Sequence, residues 1–254
     1  MMSAISKQVI SQKQLVMNIA LIGYGRMGHE IEAIAVQRGH VIQLIIDEDN
    51  TDDLVKKNLK GIDVAIEFSS PGAAFNNIVK CFTMKVPVVS GTTGWLDNYD
   101  MAVEICKKNK TSFIHSSNFS IGVNLFFRFN KELAKQMDRY HDYNVSIEEI
   151  HHTKKLDAPS GTAITLANGI IDQHSEYNKW CFDNDSTNNC IPIRSFREGV
   201  VPGIHTITWD SEIDKISLKH EAKNRKGFAL GAVIAAEFIH LKEGIFTMND
   251  VMGF

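Results

Sequence analysis

At 254 residues the chain is long enough for more than one hydrophobic core, and 44% hydrophobic with 22% charged residues is the composition of an ordinary globular protein. A net charge of -3 gives no electrostatic reason to bind nucleic acid or an anionic membrane surface, and no apolar run approaches the about 20 residues that a bilayer-spanning helix requires. Cys81, Cys106, Cys181 and Cys190 are scattered without a C-x-x-C pair, which reads as reduced thiols in a cytoplasmic protein; Cys181 and Cys190 could be bridged only if the chain between them folds back.

Residues 1–16 (MMSAISKQVISQKQLV) lack both the apolar core of a signal peptide and the arginines of a transit peptide, and read as a dispensable extension. From Met17 the chain takes up an alternating rhythm. NIALI (18–22) is an apolar strand, GYGRMG (23–28) a tight turn, Arg26 to Arg38 an amphipathic helix ended by Gly39, and VIQLIID (41–47) a second strand. IDVAIEF (62–68) is a third strand, followed by a helix from about Pro71, since proline suits a first helical turn. VPVVS (86–90) leads into GTTG and a helix near Leu96, and TSFIHS (111–116) is the fifth strand. Repeated βα units of this length predict a doubly wound parallel sheet over residues 17–120.

After Asn118 the rhythm changes. A long helix spans about 121–138, and YNVSIEEIHH (143–152) alternates as a strand does. A further helix follows from about Ser160 to Gln173, and the polar, Asn-rich stretch 175–190 reads as a surface loop. IPIRSFR, GIHTITWD and DKISLKH are consecutive strands without intervening helices. They predict an α+β domain over 121–226 built on a mixed or antiparallel sheet. The apolar helix 227–242 is expected to return to the first domain, which residues 227–254 would complete.

Gly23, Gly25 and Gly28 form G-x-G-x-x-G between a strand and a helix, the context in which glycines admit a pyrophosphate to the helix N-terminus. Asp47 closes the second strand at the distance expected of an acid that binds an adenosine ribose. Acids at 47–49 with no arginine among them favour NADH over NADPH, although Arg26 could offset this from the loop. The GTTG turn, 91–94, falls at the carboxyl edge of the sheet, where ligands bind in such folds, and is equally readable as a plain turn.

The stretch HHTKKLDAPSGTA (151–163) concentrates cations before a helix start. Neighbours on a strand point to opposite faces, so His151 and His152 do not form a metal pair, and no metal site is expected. Ser160 is a good N-cap, and the N–H groups of Gly161 and Thr162 would form a cradle for a carboxylate. With a lysine and a histidine beside that cradle, the segment describes an anion site with a proton donor, which beside a nicotinamide means hydride transfer with protonation. Another two-domain nicotinamide-dependent dehydrogenase acting on a small carboxylate would share the glycine loop but gives no reason for this constellation. A non-catalytic NAD-sensing regulator would need a partner surface, and no recognition helix is evident.

GYGRMG, EFSSP (67–71), GTTG, SNFSIGVN (117–124), EEIHHTKKLDAPSGTA (148–163) and FALGAV (228–233), in that order, resemble the 4-hydroxy-tetrahydrodipicolinate reductase family of the diaminopimelate–lysine pathway. The resemblance implies a Rossmann-type cofactor domain, a dicarboxylate substrate and a homotetramer assembled through the second sheet. It implies His151 as proton donor, Lys155 as the second catalytic residue, and substrate contacts from His152, Ser160, Gly161, Thr162 and Thr93. For the cofactor it implies Gly23, Tyr24, Gly25, Arg26, Met27, Gly28 and Asp47 at one end. Gly91, Thr92, Thr93, Ser117, Asn118, Phe119 and Ser120 would lie along the nicotinamide, with Phe68 packing on the cofactor or the core and Arg225 near the hinge. Lys154 matches no fixed role and reads as solvated. Glu48 stands where many relatives carry an arginine, which weakens the case for NADPH.

Overall fold

The computed structural model describes residues 16–182 and 189–254; the expected extension over 1–16 therefore lies, apart from Val16, outside the described residues. β1 (Asn18–Ile22), α1 (Arg26–Gln37) and β2 (Val41–Ile46) form the first βαβ unit. A 3₁₀ turn (Glu48–Asp53) and the short α2 (Lys56–Leu59) lead to β3 (Val64–Glu67), α3 (Pro71–Thr83) and β4 (Val88–Ser90). The helix expected near Leu96 starts as a 3₁₀ turn at Leu96–Asn98 and becomes α4 (Tyr99–Asn109), before β5 (Ser112–His115).

These strands pair in parallel, and side-chain alternation sorts them onto two cores. Ile19, Leu21 and Ile66 face one layer, which also holds Ile31 and Ala35 of α1. Ala20, Ile22 and Ala65 face the other, with Ile78 and Phe82 of α3 and Ala102 of α4. Each large aliphatic side chain so enclosed stabilises the fold by about 1.5–3 kcal/mol, which is why strands buried on both faces read as near-continuous apolar runs.

Beyond β5 come α5 (Ile121–Met137), β6 (Asn144–His151), α6 (Gly161–Ile171), β7 (Lys179–Phe182), β8 (Cys190–Arg197), β9 (Ile204–Asp210) and β10 (Lys215–Glu221). The second sheet runs β10-β9-β6-β8-β7 and is mixed. β10, β9 and β6 are antiparallel neighbours, while β6, β8 and β7 are parallel, α6 carrying the chain from β6 to β7. Val145, Ile147, Ile193, Ile207 and Trp209 point to one face, where Phe126 of α5 and Leu166 of α6 cover them. Ile150, Phe196 and Ile204, neighbours in register, point to the opposite face.

α7 (Lys226–Ile239) then packs Ala229, Val233 and Ala236 onto the first core, and β11 (Gly244–Phe246) and α8 (Met248–Met252) end the described chain. The first sheet is therefore β11-β5-β4-β3-β1-β2. β11 has only three residues, too few to show a period, and it forms because Gly244–Phe246 lies alongside Ser112–Ile114.

Two expectations are corrected. The polar stretch 175–190 is not all loop: β7 pairs with β8, and Trp180 packs against the second core, which holds an otherwise polar segment in the sheet. That adjacency also brings Cys181 and Cys190 together as a disulfide, with an S–S distance of 2.04 Å, in place of two thiols. Cys81 and Cys106 remain buried thiols, each pushed up to about 12 by burial. Among the described residues no helix is long and apolar enough to cross a membrane.

Candidate active site

The glycine loop closes because three positions lack a side chain for different reasons. Gly23 has φ +90° and donates its N–H to the Ile46 carbonyl at 2.8 Å, and a Cβ there would stand 2.1 Å from the Phe68 carbonyl oxygen. A Cβ on Gly28 would stand 2.5 Å from the Gly23 oxygen, so α1 could not begin so close to β1. Gly25, the N-cap of α1, has open space above it and no capping side chain, which leaves the first-turn N–H groups free for an anion.

From this turn a groove follows the carboxyl edge of the first sheet. Its first part is bounded by Tyr24, Gly25, Asp47, Glu48, Thr51 and Phe68. The middle is bounded by Arg26, Met27, Gly91, Thr92, Thr93 and Arg225. The far part is bounded by Ser116, Ser117, Phe119, Pro202 and Phe228. Phe68 borders all three parts, and its ring also packs on Phe119 at 5.8 Å. The length, the open helix N-terminus and the acid at the end of β2 fit an extended dinucleotide. Asn118 and Ser120 shape the turn rather than the wall: Asn118 Oδ1 accepts the Ser120 N–H at 2.9 Å, and Ser120 caps α5 through Val123 N–H.

Glu67 opens the EFSSP segment without having been given a role, yet it organises this groove. It is fully buried at the end of β3 and accepts the Ser90 hydroxyl at 2.7 Å, the Thr92 hydroxyl at 2.8 Å, the Ser69 N–H at 3.1 Å and the Ser69 hydroxyl. Thr92 thus turns its side chain inward and offers the groove its backbone. His115 directs Nε2 at the Thr92 carbonyl, 3.1 Å away, and burial holds the ring below the ordinary histidine range.

The second cluster lies on the inner face of β6, at the end of the second sheet. His151 is buried, with Nδ1 3.3 Å from Glu149 Oε2, while a Cβ on Gly203 would stand 3.1 Å from His151 Nε2. Glu149 is wholly buried and receives the Ser160 N–H at 3.0 Å and the Arg197 guanidinium at 3.3 Å. Burial opposes its charge, but the polar groups of His151, His205, Ser160 and Ser195 around it outweigh that and hold the carboxyl far below the usual range. His205 Nε2 lies 3.1 Å from Ser160 Oγ and 3.6 Å from Glu149 Oε2. Donor atoms of Glu149, His151 and His205 come within 4.8 Å of one another, but Arg197 already supplies the carboxylate's counter-charge, so the cluster is built as an ion-paired network.

Ser160 caps α6, its Oγ accepting the Ala163 N–H at 3.2 Å; Gly161 is exposed, and the first-turn N–H groups of Gly161 and Thr162 have no partner within a helix. His152 lies half-buried beyond the end of β6. Lys155 is not poised over the cradle: its ammonium is held by both oxygens of Asp157, at 2.8 and 2.9 Å. The loop between Lys155 and the start of α6 includes a cis peptide at Ala158–Pro159. Glu149, Arg197 and His205 were missed, although Glu149 stands two residues before His151 on an alternating strand and so must share its face.

The sequence matches the family described as "Dihydrodipicolinate reductase, N-terminus" over residues 17–119 and "Dihydrodipicolinate reductase, C-terminus" over 122–252. It is 56% identical over 238 residues to the 4-hydroxy-tetrahydrodipicolinate reductase of Christiangramia forsetii, covering 93% of this chain and 98% of that protein. It is 33% identical to the enzyme of the same name from Thermosipho africanus, with the same coverage. Among solved structures, a dipicolinate-bound dihydrodipicolinate reductase from Paenisporosarcina sp. TG-14 shares the fold with a TM-score of 0.76 at 24% identity, over 92% of this chain and 98% of that one. Two matched halves that together span nearly the whole described chain, and a relative 56% identical over 98% of its own length, make this protein a member of the dihydrodipicolinate reductase family.

Proposed function

We propose that this chain, as a reductase of the family, converts 4-hydroxy-tetrahydrodipicolinate to tetrahydrodipicolinate in diaminopimelate and lysine biosynthesis, with His151 as proton donor. The carrying observation is one of adjacency: Pro202 borders the far part of the groove, and the next residue, Gly203, is the one against which His151 Nε2 lies. When bound, the reduced nicotinamide supplies the hydride. The chain's own residues do the rest. The open N-terminus of α1 and Arg26 hold the pyrophosphate, and Phe68, Gly91 and Phe119 orient the far end of the cofactor. The N–H groups of Gly161 and Thr162, with His152, hold a substrate carboxylate, and Lys155 leaves Asp157 to pair with the anionic substrate. Once the hydroxyl has left as water and the hydride has added at C4, His151 delivers a proton from Nε2 to the carbon of the resulting enamine.

The same reading takes residues 17–120 with 227–254 as the cofactor domain and 121–226 as the substrate domain, joined near Asn118 and between His220 and Arg225. Asp47 and Glu48 favour NADH, because carboxylates repel a 2′-phosphate. The apolar group Ile150, Phe196 and Ile204, on the face that α5 and α6 leave open, supports a homotetramer built through this sheet, and a cytoplasmic location suits a biosynthetic reductase of this kind. The test is an assay coupled to the condensing enzyme that makes the substrate, following loss of reduced cofactor. His151→Ala should lower kcat about 10²–10⁴-fold with NADH affinity retained. Near-normal turnover would remove His151 from the role, and a kcat/KM higher with NADPH would overturn the cofactor preference.

A further inference from the structure

One buried carboxylate touches both halves of the chemistry at the second sheet. Glu149 Oε2 faces Nδ1 of His151 at 3.3 Å, while Oε1 accepts the N–H of Ser160, the residue that starts the α6 cradle, at 3.0 Å. Arg197 reaches the same Oε1 at 3.3 Å and also donates to the backbone carbonyls of Lys155 and Asp157, so the loop bearing Lys155 hangs from the same ion pair. Glu149 has no exposed surface, so its charge must be matched by the cations and donors around it.

We propose that Glu149 is the positioning residue of this site, fixing the ring and protonation of His151 through Nδ1 while setting the helix start that receives the substrate's carboxylate. This rests on His151 being the proton donor. A donor to the reacting carbon must present a proton on Nε2 and become neutral afterwards. A carboxylate facing Nδ1 keeps a proton on that nitrogen and leaves the departing proton on the other. The gap of 3.3 Å is long for a hydrogen bond, as such contacts often are before substrate binds.

The second imidazole lies farther from this carboxylate, with Nε2 3.6 Å from Oε2. Burial pushes His205 below the ordinary histidine range, Glu149 only partly opposing this, and His205 instead meets Ser160 Oγ at 3.1 Å. The charged and titratable groups around His151 are then Glu149 on its own strand, Arg197 on β8, His205 on β9, His220 further along on β10, and the Lys155–Asp157 pair and His152 in the following loop. Among them Glu149 alone faces Nδ1.

Glu149→Gln tests this, because Oε1 can still accept from Ser160 while the amide donates toward Nδ1 and favours a neutral ring. Expected are a kcat lower by about 10²-fold or more, a descending limb of the kcat–pH profile moved to lower pH, and an NADH Kd from fluorescence within about threefold of the parent. In a His151→Ala background the same change should cost less than about twofold, since residues acting as a unit are not additive. A kcat within about fivefold of the parent, or a full multiplicative loss in the His151→Ala background, overturns the proposal. Should His151→Ala itself turn over normally, it is the proton-donor reading that fails. If Glu149→Gln does not fold, nitrogen-15 NMR of histidine in the unaltered protein decides. One exchange-protected Nδ1–H resonance should be present and should vanish in His151→Asn, and its absence overturns the proposal.

Discussion

The Thr92 hydroxyl donates to the Glu67 carboxylate at 2.8 Å, and its oxygen accepts the Ser69 N–H at the same distance. Two loops that border the cofactor groove, one after β3 and one after β4, are thereby fastened to a single buried charge. Thr92→Val keeps the shape but removes a donor from Glu67 and an acceptor from Ser69. Unfolding in urea should show a loss of about 1–3 kcal/mol, and titration with NADH a weaker Kd, because both loops border the groove. A variant unchanged in both measurements would show that Ser69 and Ser90 satisfy Glu67 without it.

Gly231 lies inside α7 against the segment that joins the two sheets. A Cβ there would stand 1.7 Å from the Phe119 carbonyl oxygen and 2.7 Å from its carbon, both backbone atoms that cannot swing aside. Gly231→Ala should therefore lower stability by about 1–3 kcal/mol or more, despite alanine's better helix propensity. Gly72→Ala in α3, with open space around it, is the control and should hold or raise the Tm. A thermal scan comparing the two separates close packing from propensity.

How legible this was depended on where each signal was carried. The five strands of the first sheet that precede Asn118 could be read because each is built on a short apolar run between turn signals, and α6 because Ser160 is a cap that needs no tertiary partner. β7 was hidden because a parallel edge strand takes its stability from β8 and from Trp180 against a distant core, neither of which is local. The Cys181–Cys190 pairing was hidden with it, since only the β7–β8 register brings those residues together. In the site, the glycine loop and the His151 segment stood out as motifs. Glu149 and Glu67 lay inside quoted segments but drew no role, because a buried acid in a strand has meaning only once its donors, several from other strands, are known.

Lys155 and Asp157 form a close pair, but Asp157 is largely exposed and its side chain can stay in water when the lysine leaves. Exposed pairs of this kind are worth about 1 kcal/mol or less, so an anionic substrate can draw the ammonium across. Lys155→Met should lower kcat/KM for the dicarboxylate by tenfold or more, about the value of a hydrogen bond to a charged group. Asp157→Asn should change it by less than about threefold. Equal losses in the two variants would mean that the pair itself, rather than the free lysine, shapes the site.

Stability toward acid should depend on Glu237, which ties α7 to α1. Its carboxylate accepts Nε and Nη2 of Arg38, each at 2.7 Å, and lies 2.8 Å from His40 Nε2. Burial opposes its ionisation, but these donors outweigh burial and hold it below the ordinary value of 4.5. A carboxyl depressed in the folded state contributes stability that is fully present above its unfolded value and disappears as the pH falls through the lower, folded one. The difference in urea midpoint between the parent and Glu237→Gln should therefore be constant from neutral pH down to about 5, then shrink as the pH falls below 4.5. At pH 7 the loss should be about 1–3 kcal/mol, as for hydrogen bonds to charged groups. A difference that persists unchanged at pH 3 would assign the effect of Glu237 to its packing between the helices and not to its charge.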